Sequence, residues 1–184
     1  MSSPIGWDHP DTARYYEAFC RRHARYRNAG RKLVEHARIG KGQAILDFAA
    51  GTGRTAEAVL PLLGAAGTVL CFEPAAAMRN AGMARLSDPR LSWSAEVPGG
   101  ELRWDRILCS AAIWQLDSLQ DWFGRFHLLL RPGGALCFNI PSLYLGEPDK
   151  PGRGNDPLLL QLAAILAEKR TVPPPPAGRP LPTA

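Results

Sequence analysis

The chain has 184 residues, a hydrophobic fraction of 46% and a formal net charge of +5. This length favours one domain, and the composition is sufficient to bury a core. No apolar run approaches the roughly 20 residues of a membrane-spanning helix. Residues 1–11 lack the basic-then-apolar pattern of a signal peptide, so we predict a cytoplasmic protein. The four cysteines show no C-x-x-C spacing, which predicts buried free thiols and no metal site.

Two helices are predicted within residues 11–41. Asp11 or Thr12 is expected to cap the first helix. Gly30 is predicted to interrupt the helical pattern, so that a second helix begins near Leu33. The first helix is predicted to present one apolar and aromatic face, made of Tyr15, Phe19, Arg22 or His23, and Tyr26.

These helices carry the positive charge of the chain. Residues 14–41 hold nine Lys/Arg and two Glu, a net charge of +7, whereas the other residues hold 13 Lys/Arg and 15 Asp/Glu, a net charge of −2. A basic surface of this kind suits nucleic acid or an acidic substrate. The alternative is a solvated, arginine-rich helix face, which we favour because no RNA-binding fold signature accompanies the charge.

The most informative stretch is I-L-D-F-A-A-G-T-G-R-T, residues 45–55. Its apolar run predicts a strand that is covered on both faces. Gly51 and Gly53 can adopt positive φ and let a ligand approach the backbone, so residues 49–53 are called the glycine turn. A helix that begins at Thr52 or Arg54 would direct its free N–H groups at that ligand. The stretch therefore predicts a site for a nucleotide-like cofactor.

Two common nucleotide-binding motifs do not fit this turn. The dinucleotide motif G-x-G-x-x-G requires glycine where Ala56 stands, and a P-loop requires lysine after Gly53. A structural turn in any α/β protein remains an alternative. What is present is D-x-x-x-G-x-G, beginning at Asp47, followed by Glu73 at the end of the next predicted strand, 68–72. This pattern resembles the class I S-adenosylmethionine (SAM) methyltransferases.

The later elements follow in an order similar to that family. They are a helix over 75–86, strands over 90–94 and 104–110, a helix capped by Asp117 or Ser118, and a strand over 135–140. The R-P-G-G segment between the last helix and strand strengthens the resemblance, which covers about residues 11–140. It is closest to the small-molecule branch typified by ubiquinone/menaquinone methyltransferases. The resemblance implies a doubly wound, Rossmann-like, mostly parallel α/β sheet.

The resemblance also implies SAM as cofactor and S-adenosylhomocysteine (SAH) as product. Glu73 would hold the ribose, because ligands bind beyond the carboxyl ends of parallel strands. Asp47 would steady the turn and receive the cofactor's amino group, directly or through water. Ser94 replaces an acidic residue of the family, so either Ser94 bonds the adenine weakly or Glu96 substitutes for it. Met78 lies against the adenine or in the core. The predicted cofactor-binding residues are Asp47, Ala49, Gly51, Thr52, Gly53, Glu73, Pro74, Met78, Ser94, Ala95, Ser110 and Ala111.

No residue is assigned a catalytic role. A sulfonium activates its own methyl group, so the protein must mainly align the acceptor and exclude water. The N-terminal segment is expected to fold over the cofactor, and Trp114 belongs to an acceptor pocket or to the core. The candidate side chains at the mouth of the site are His9, Tyr15, Tyr16 and His23.

We predict methyl transfer to O, N or C of a small-molecule acceptor. One alternative is an RNA methyltransferase that uses the basic N-terminal helices. Another is a catalytically inactive, SAM-binding or purely structural partner subunit.

The predicted organisation is an N-terminal helical cap (1–41), a SAM-binding core (42–140), and a helix with a Pro-rich tail (141–184). Two C-terminal strands that are usual in the family are missing from the pattern. The chain is therefore expected to be a truncated product, one half of a complementing pair or a minimal variant. An uncovered sheet edge would favour a homodimer or a complementing subunit.

Overall fold

The structure, a computed structural model, describes residues 6–99 and 104–140, which belong to one unit of the chain, Met1–Pro141. The predicted C-terminal helix, the Pro-rich tail and the expected absence of two strands lie outside the described residues. The elements are α1 (Pro10–Arg22), α2 (Arg25–Ala37), β1 (Ala44–Phe48), α3 (Arg54–Val59), β2 (Thr68–Phe72), α4 (Ala76–Arg85), β3 (Leu91–Ser94), β4 (Trp104–Ser110), α5 (Leu119–Leu129) and β5 (Leu130–Asn139). Single 3-10 turns span Leu60–Leu62 and Ile113–Gln115.

The strands form one five-stranded sheet in the order β3-β2-β1-β4-β5. Each neighbouring pair is parallel. The chain winds outward from β1 through β2 to β3, then returns to the other side of β1 with β4 and β5. A crevice opens at such a reversal, beyond the carboxyl ends of the central strands. The predicted doubly wound, Rossmann-like fold is confirmed.

Helices cover both faces of this sheet, because successive side chains of a strand point to opposite sides. Ile45 and Val69 belong to the buried cluster that also contains the apolar residues of α2 and α3. Phe48 points to the opposite face, where its ring centroid lies 5.0 Å from that of Trp122 and 4.9 Å from that of Phe126 in α5. Residues of β1 are therefore buried from both sides, as the apolar run predicts.

The predicted strands match the observed ones to within a residue, apart from β5. There the pairing advances from Trp104 to Arg106 along β4 but from Leu130 to Ala135 along β5. The extra residues are the R-P-G-G segment, in which Gly133 adopts a φ of 78°. The predicted turn is thus an irregular stretch of an extended strand rather than a separate connection.

The prediction for the N-terminal helices was wrong in two details. Tyr15 and Phe19 are 64% and 40% exposed, whereas α1 buries Ala13 and Cys20. The spacing of the aromatic residues predicted that they form the buried face of α1, but the small side chains form that face instead. Gly30 does not interrupt a helix but lies inside α2, where an added Cβ would lie 3.2 Å from Thr55 Oγ1. Its role is to let α2 approach α3 closely.

The first helix also begins earlier than predicted. His9 caps α1 through its Nδ1 atom, which accepts a hydrogen bond from the Asp11 N–H at 3.2 Å. Pro10 follows at the first helical position, where its missing N–H has no consequence. Among the described residues, no helix has both the length and the apolar character that a membrane crossing requires.

The packing of α4 on Trp93 can be tested with Gly82→Ala. A Cβ at position 82 would overlap the Trp93 ring, so we expect the free energy of unfolding to fall by about 1–3 kcal/mol through overpacking. Gly124→Ala in α5 is the matched control, because a Cβ there meets no atom within 4 Å. The control should gain up to about 1 kcal/mol from helix propensity. Urea unfolding of both variants checks this, and equal stabilisation of both would contradict the packing.

Candidate cofactor cleft

The glycine turn begins directly after β1 and carries the chain into α3. Ala49, Gly51 and Gly53 adopt φ values of 56°, 57° and 77°. The Ala50 N–H donates to the Phe72 carbonyl oxygen at 2.9 Å, and the Gly53 N–H donates to the Ala50 carbonyl oxygen at 2.8 Å. The turn is therefore fixed both to itself and to the end of β2.

Two buried carboxylates accept backbone N–H groups around this turn. Asp47 Oδ2, at the end of β1, accepts from Ala56 of α3 at 3.0 Å. Glu73 follows β2, where Oε2 accepts from Gly51 at 2.8 Å and Oε1 accepts from Ala75 at 2.9 Å. Asp47 is 1% exposed and Glu73 is 7% exposed. These acceptors satisfy N–H groups at the starts of α3 and α4, which would otherwise lack partners.

Burial changes the acid–base behaviour of both groups. Loss of solvation raises the pKa of Asp47 to about 7, with a smaller contribution from the charge of Glu73, against the opposing hydrogen bond from Ala56. Among the described residues, Asp47 Oδ1 has no hydrogen-bond partner. Burial also raises the pKa of Glu73, whereas its backbone hydrogen bonds and Arg79 oppose that shift. The floor of the site thus holds carboxylates that are short of compensating charge.

The end of β4 forms a wall of the site. Ala111 adopts a φ of 55°, and its N–H donates to Asn139 Oδ1 at 2.7 Å. Asn139 Nδ2 in turn donates to the Ala29 carbonyl oxygen at 3.0 Å, which links β5 to α2. A left-handed backbone costs a non-glycine residue about 1–2 kcal/mol. Ala49 and Ala111 place this strain at the ends of β1 and β4, and such strain is concentrated at ligand sites.

Three aromatic residues, Trp7, Tyr16 and Tyr26, lie opposite this floor and are called the aromatic roof. The ring centroids of Trp7 and Tyr16 are 6.2 Å apart, and those of Tyr16 and Tyr26 are 5.4 Å apart. Burial is the largest cause that raises the pKa of Tyr16, and the hydrogen bond between its hydroxyl and Cys20 raises it further, so the hydroxyl stays protonated.

Floor, wall and roof enclose one cleft of about 900 Å³, a volume that includes its open mouth. The charged groups among its described lining residues are Arg54 and Glu73. The lining residues are Trp7, Tyr16, Tyr26, Ala49, Ala50, Gly51, Arg54, Thr55, Glu73, Pro74, Ala75, Met78, Ser110, Ala111, Ala112, Trp114 and Gln115.

The structure brings most of the predicted cofactor residues to this cleft. Those that line it are Ala49, Gly51, Glu73, Pro74, Met78, Ser110 and Ala111. Asp47 lies buried beneath the turn, and Thr52 donates its hydroxyl to Glu17. Gly53 faces Trp93, from whose ring an added Cβ would lie 3.0 Å. Ser94 donates its hydroxyl to the Glu96 carbonyl oxygen. Ser94 and its neighbour Ala95 are not among the lining residues.

The candidate side chains of the N-terminal segment separate in the structure. Tyr16 lines the cleft, whereas Tyr15 is exposed with Arg14 over its ring. His9 caps α1, and His23 packs against Phe19 with ring centroids 4.5 Å apart. Trp114 lines the cleft, as one of its two predicted roles requires.

Sequence reasoning missed Trp7 and Gln115, which lie outside the motif. It assigned Tyr26 to the aromatic face of the first helix, whereas Tyr26 belongs to α2 and lines the cleft. Arg54 was considered only as a helix start, although its position directly after Gly53 is a signal that could have identified it.

Comparisons with known proteins agree with this geometry. The sheet order and the flanking helices match the fold of SAM-dependent methyltransferases of known structure. The chain has 17% identity and a TM-score of 0.63 with a SAM-dependent methyltransferase from Aquifex aeolicus, with 87% of each chain covered. It has 14% identity and a TM-score of 0.63 with a chain from the complex between the Haloferax volcanii Trm112 methyltransferase activator and a methyltransferase, covering 76% of this chain and 62% of that one.

Sequence similarity points to the same class. No protein-family model matches the chain. It is 30% identical over 121 residues to the ubiquinone/menaquinone biosynthesis C-methyltransferase UbiE of Coxiella burnetii, a match that covers 60% of this chain and 48% of UbiE. The chain spans about half the length of the curated relatives it matches. The predicted resemblance to class I methyltransferases of the UbiE-like branch is confirmed.

The raised pKa of Asp47 predicts a pH-dependent stability. The pKa of this carboxyl is about 7 in the folded chain, against an ordinary value of 3.8, so between these two values the folded chain binds more protons than the unfolded chain. Stability conferred by this group therefore falls as the pH rises from about 4 to 7, by up to about 1.4 kcal/mol per pH unit.

Asp47→Asn removes this titration and keeps an acceptor oxygen for the Ala56 N–H. The difference in unfolding free energy between variant and native protein should move in favour of the variant as the pH rises from 5 to 8. Urea unfolding at several pH values measures it. A difference that does not change with pH would show that Asp47 is ionised throughout.

Proposed function

We propose that the chain is a SAM-dependent methyltransferase that acts on a small-molecule acceptor. The observation that carries this proposal is the position of Glu73, whose buried carboxylate lies at the carboxyl end of β2 and is hydrogen-bonded to Gly51 of the glycine turn. The two oxygens of a carboxylate together offer about four acceptor positions for hydrogen bonds. Two are used by Gly51 and Ala75, and the others remain for the two hydroxyls of a ribose.

The remaining residues of the cleft suit the other parts of this cofactor. Gly51 admits the methionine part close to the backbone, and Met78 and Pro74 supply apolar surface for the adenine. Ala49, Ser110 and Ala111 border the space between the carboxyl ends of β1 and β4. Because Asp47 is buried below the turn, we propose that it acts on the cofactor through the turn rather than by direct contact.

When bound, the cofactor supplies a methyl group that is already activated by a positively charged sulfur. The chain must then hold the acceptor in line with the methyl group and exclude water. The aromatic roof covers the cleft and supports both tasks. Tyr16 would offer the acceptor its aromatic ring, because its hydroxyl is hydrogen-bonded to Cys20 and its raised pKa excludes a role as base near neutral pH.

The lining of the cleft favours a small and mostly uncharged acceptor. Apart from Arg54 and Glu73, its described side chains are apolar, aromatic or neutral polar. The sugar-phosphate backbone of RNA would find few positive groups inside the cleft. This argument supports the small-molecule acceptor, and the similarity to UbiE is in keeping with it.

RNA methylation remains a second candidate because of the charge on the N-terminal helices. Their cations are exposed, and within the described part of the chain all but Arg14, which pairs with Asp11, lack an ion pair. The cations without an ion pair are Arg21, Arg22, Arg25, Arg27, Arg31, Lys32, Arg38 and Lys41. Such a surface would give binding to RNA that weakens steeply with salt.

The two candidates differ in what is labelled when cell extract is incubated with the protein and methyl-labelled SAM. We expect label in the small-molecule fraction, at equal levels for the native protein and for the triple variant Arg21→Gln, Arg22→Gln and Arg25→Gln. Label in RNA that disappears with the triple variant would favour the second candidate.

The cofactor site itself is tested by Gly51→Val. A β-branched side chain at a φ of 57° is strained, and it would extend from the turn into the cleft beside Met78. Overpacking of about 1–3 kcal/mol corresponds to roughly a 5- to 150-fold loss of affinity for SAH. Calorimetric titration with SAH, at a temperature where the variants remain folded, measures this loss.

Gly42→Val is the matched control for strain. Gly42 has a φ of 75° and is not among the residues that line the cleft, so its variant should bind SAH like the native protein. Equal affinities of all three proteins would mean that the glycine turn is purely structural.

A further inference from the structure

Glu17 of α1 contacts the glycine turn from outside the nucleotide-binding motif. It accepts a hydrogen bond from Thr52 Oγ1 at 2.5 Å, and another from Arg54 Nη2 at 2.6 Å. The Glu17 side chain is 13% exposed and that of Arg54 is 16% exposed, so the ion pair is largely shielded from water. An ion pair in such a position depends on good geometry, because both charges have lost much of their hydration.

The turn residue that Glu17 holds is bound from both sides. Thr52 is fully buried, and its carbonyl oxygen accepts from Arg85 of α4 through Nε at 3.2 Å and Nη2 at 2.8 Å. Arg85 Nη1 is paired with Glu57 of α3 at 2.9 Å. Within the described residues, Glu17 is the acidic residue that α1 contributes to this network. Its hydrogen-bond partners, Thr52 and Arg54, belong to the glycine turn and to α3.

The neighbour of Glu17 in the chain forms part of the aromatic roof. Tyr16 faces the cleft, while Glu17 is hydrogen-bonded to the floor at Thr52. A second connection joins the roof to the floor near Trp7, where Asp8 Oδ1 accepts from the Ala77 N–H of α4 at 3.3 Å. The position of the aromatic roof is therefore coupled to the shape of the glycine turn through a few polar contacts.

We propose that Glu17 is a positioning residue that fastens the aromatic roof to the glycine turn, so that the cofactor site is complete only when α1 is docked. This proposal rests on the function proposed above. It has a reciprocal consequence, because two events that favour each other do so by the same factor. Docking of α1 strengthens cofactor binding, and a bound cofactor strengthens the docking of α1.

The test compares Glu17→Gln with Thr52→Val, which removes the hydroxyl donor from the other side of the same contact. Each variant should bind SAH about tenfold more weakly than the native protein in calorimetric titration. The double variant should lose less affinity than the sum of the two single losses, because Thr52→Val removes a contact that Glu17→Gln already weakens, whereas only Glu17→Gln removes the charge that pairs with Arg54. Asp11→Asn is the control on the same helix, since its exposed pair with Arg14 does not touch the turn, and it should bind SAH normally.

Hydrogen exchange of the unliganded proteins gives a readout that needs no ligand. The amides of α1 should exchange faster in Glu17→Gln than in the native protein, and as slowly in Asp11→Asn as in the native protein. SAH should slow the exchange of α1 in the native protein but much less in Glu17→Gln.

The outcomes separate this proposal from the proposed function. Glu17→Gln that is less stable than the native protein but has native affinity for SAH would overturn the proposal, and so would additive losses in the double variant. Absence of SAH binding by the native protein would refute the proposed function instead. The exchange of α1 in the unliganded variants would then still support or overturn the fastening role of Glu17.

Discussion

The cleft depends on one constraint, which is the need to satisfy backbone N–H groups where two helices begin next to a tight turn. Asp47 and Glu73 meet this need from the ends of two adjacent strands, through hydrogen bonds to Ala56, Gly51 and Ala75. A buried N–H without an acceptor is costly, and so is a buried carboxylate without donors. Here the carboxylates accept hydrogen bonds from the N–H groups, so each group supplies the partner that the other needs. These bonds fix β1, β2 and the starts of α3 and α4 in one arrangement.

This constraint also explains why the site is prepared for a ligand. Glu73 accepts one hydrogen bond from the turn region with each oxygen, and in the proposed function the other acceptor positions bind a partner that donates hydrogen bonds. Its raised pKa and that of Asp47 follow from burial, so a ligand that brings donors or positive charge would relieve an existing imbalance. The strained alanines at positions 49 and 111 lie on the same cleft. The strained backbone of these two residues thus lowers the stability of the fold at the place where binding is expected.

Much of the fold could be predicted from the sequence, because its signals are local. Buried strands appear as short apolar runs, and β2 and β4 were predicted with the observed bounds. Glu73 and Gly51 could be identified because their spacing follows from the strand–turn–helix geometry. The doubly wound order followed from the sequence of elements together with the family resemblance.

The roof of the cleft could not be predicted in the same way, because its residues are set by how α1 and α2 dock. Tyr15 and Tyr16 are adjacent, and only packing decides which of them turns inward. Gly30 has the same appearance in a sequence whether it ends a helix or admits a close neighbour. Glu17 lies 35 positions from its partner Thr52, and no spacing rule connects them.

The most direct test of the central claim is calorimetric titration of the native protein with SAH and with its 2′-deoxy analogue. If the carboxylate of Glu73 holds the ribose, SAH binds and the analogue binds about ten- to a hundredfold more weakly, because a hydrogen bond to a charged group contributes about 1.5–3 kcal/mol. Equal affinities for the two ligands would contradict the role of Glu73, and absence of binding by either would contradict the assignment of the cleft as a cofactor site.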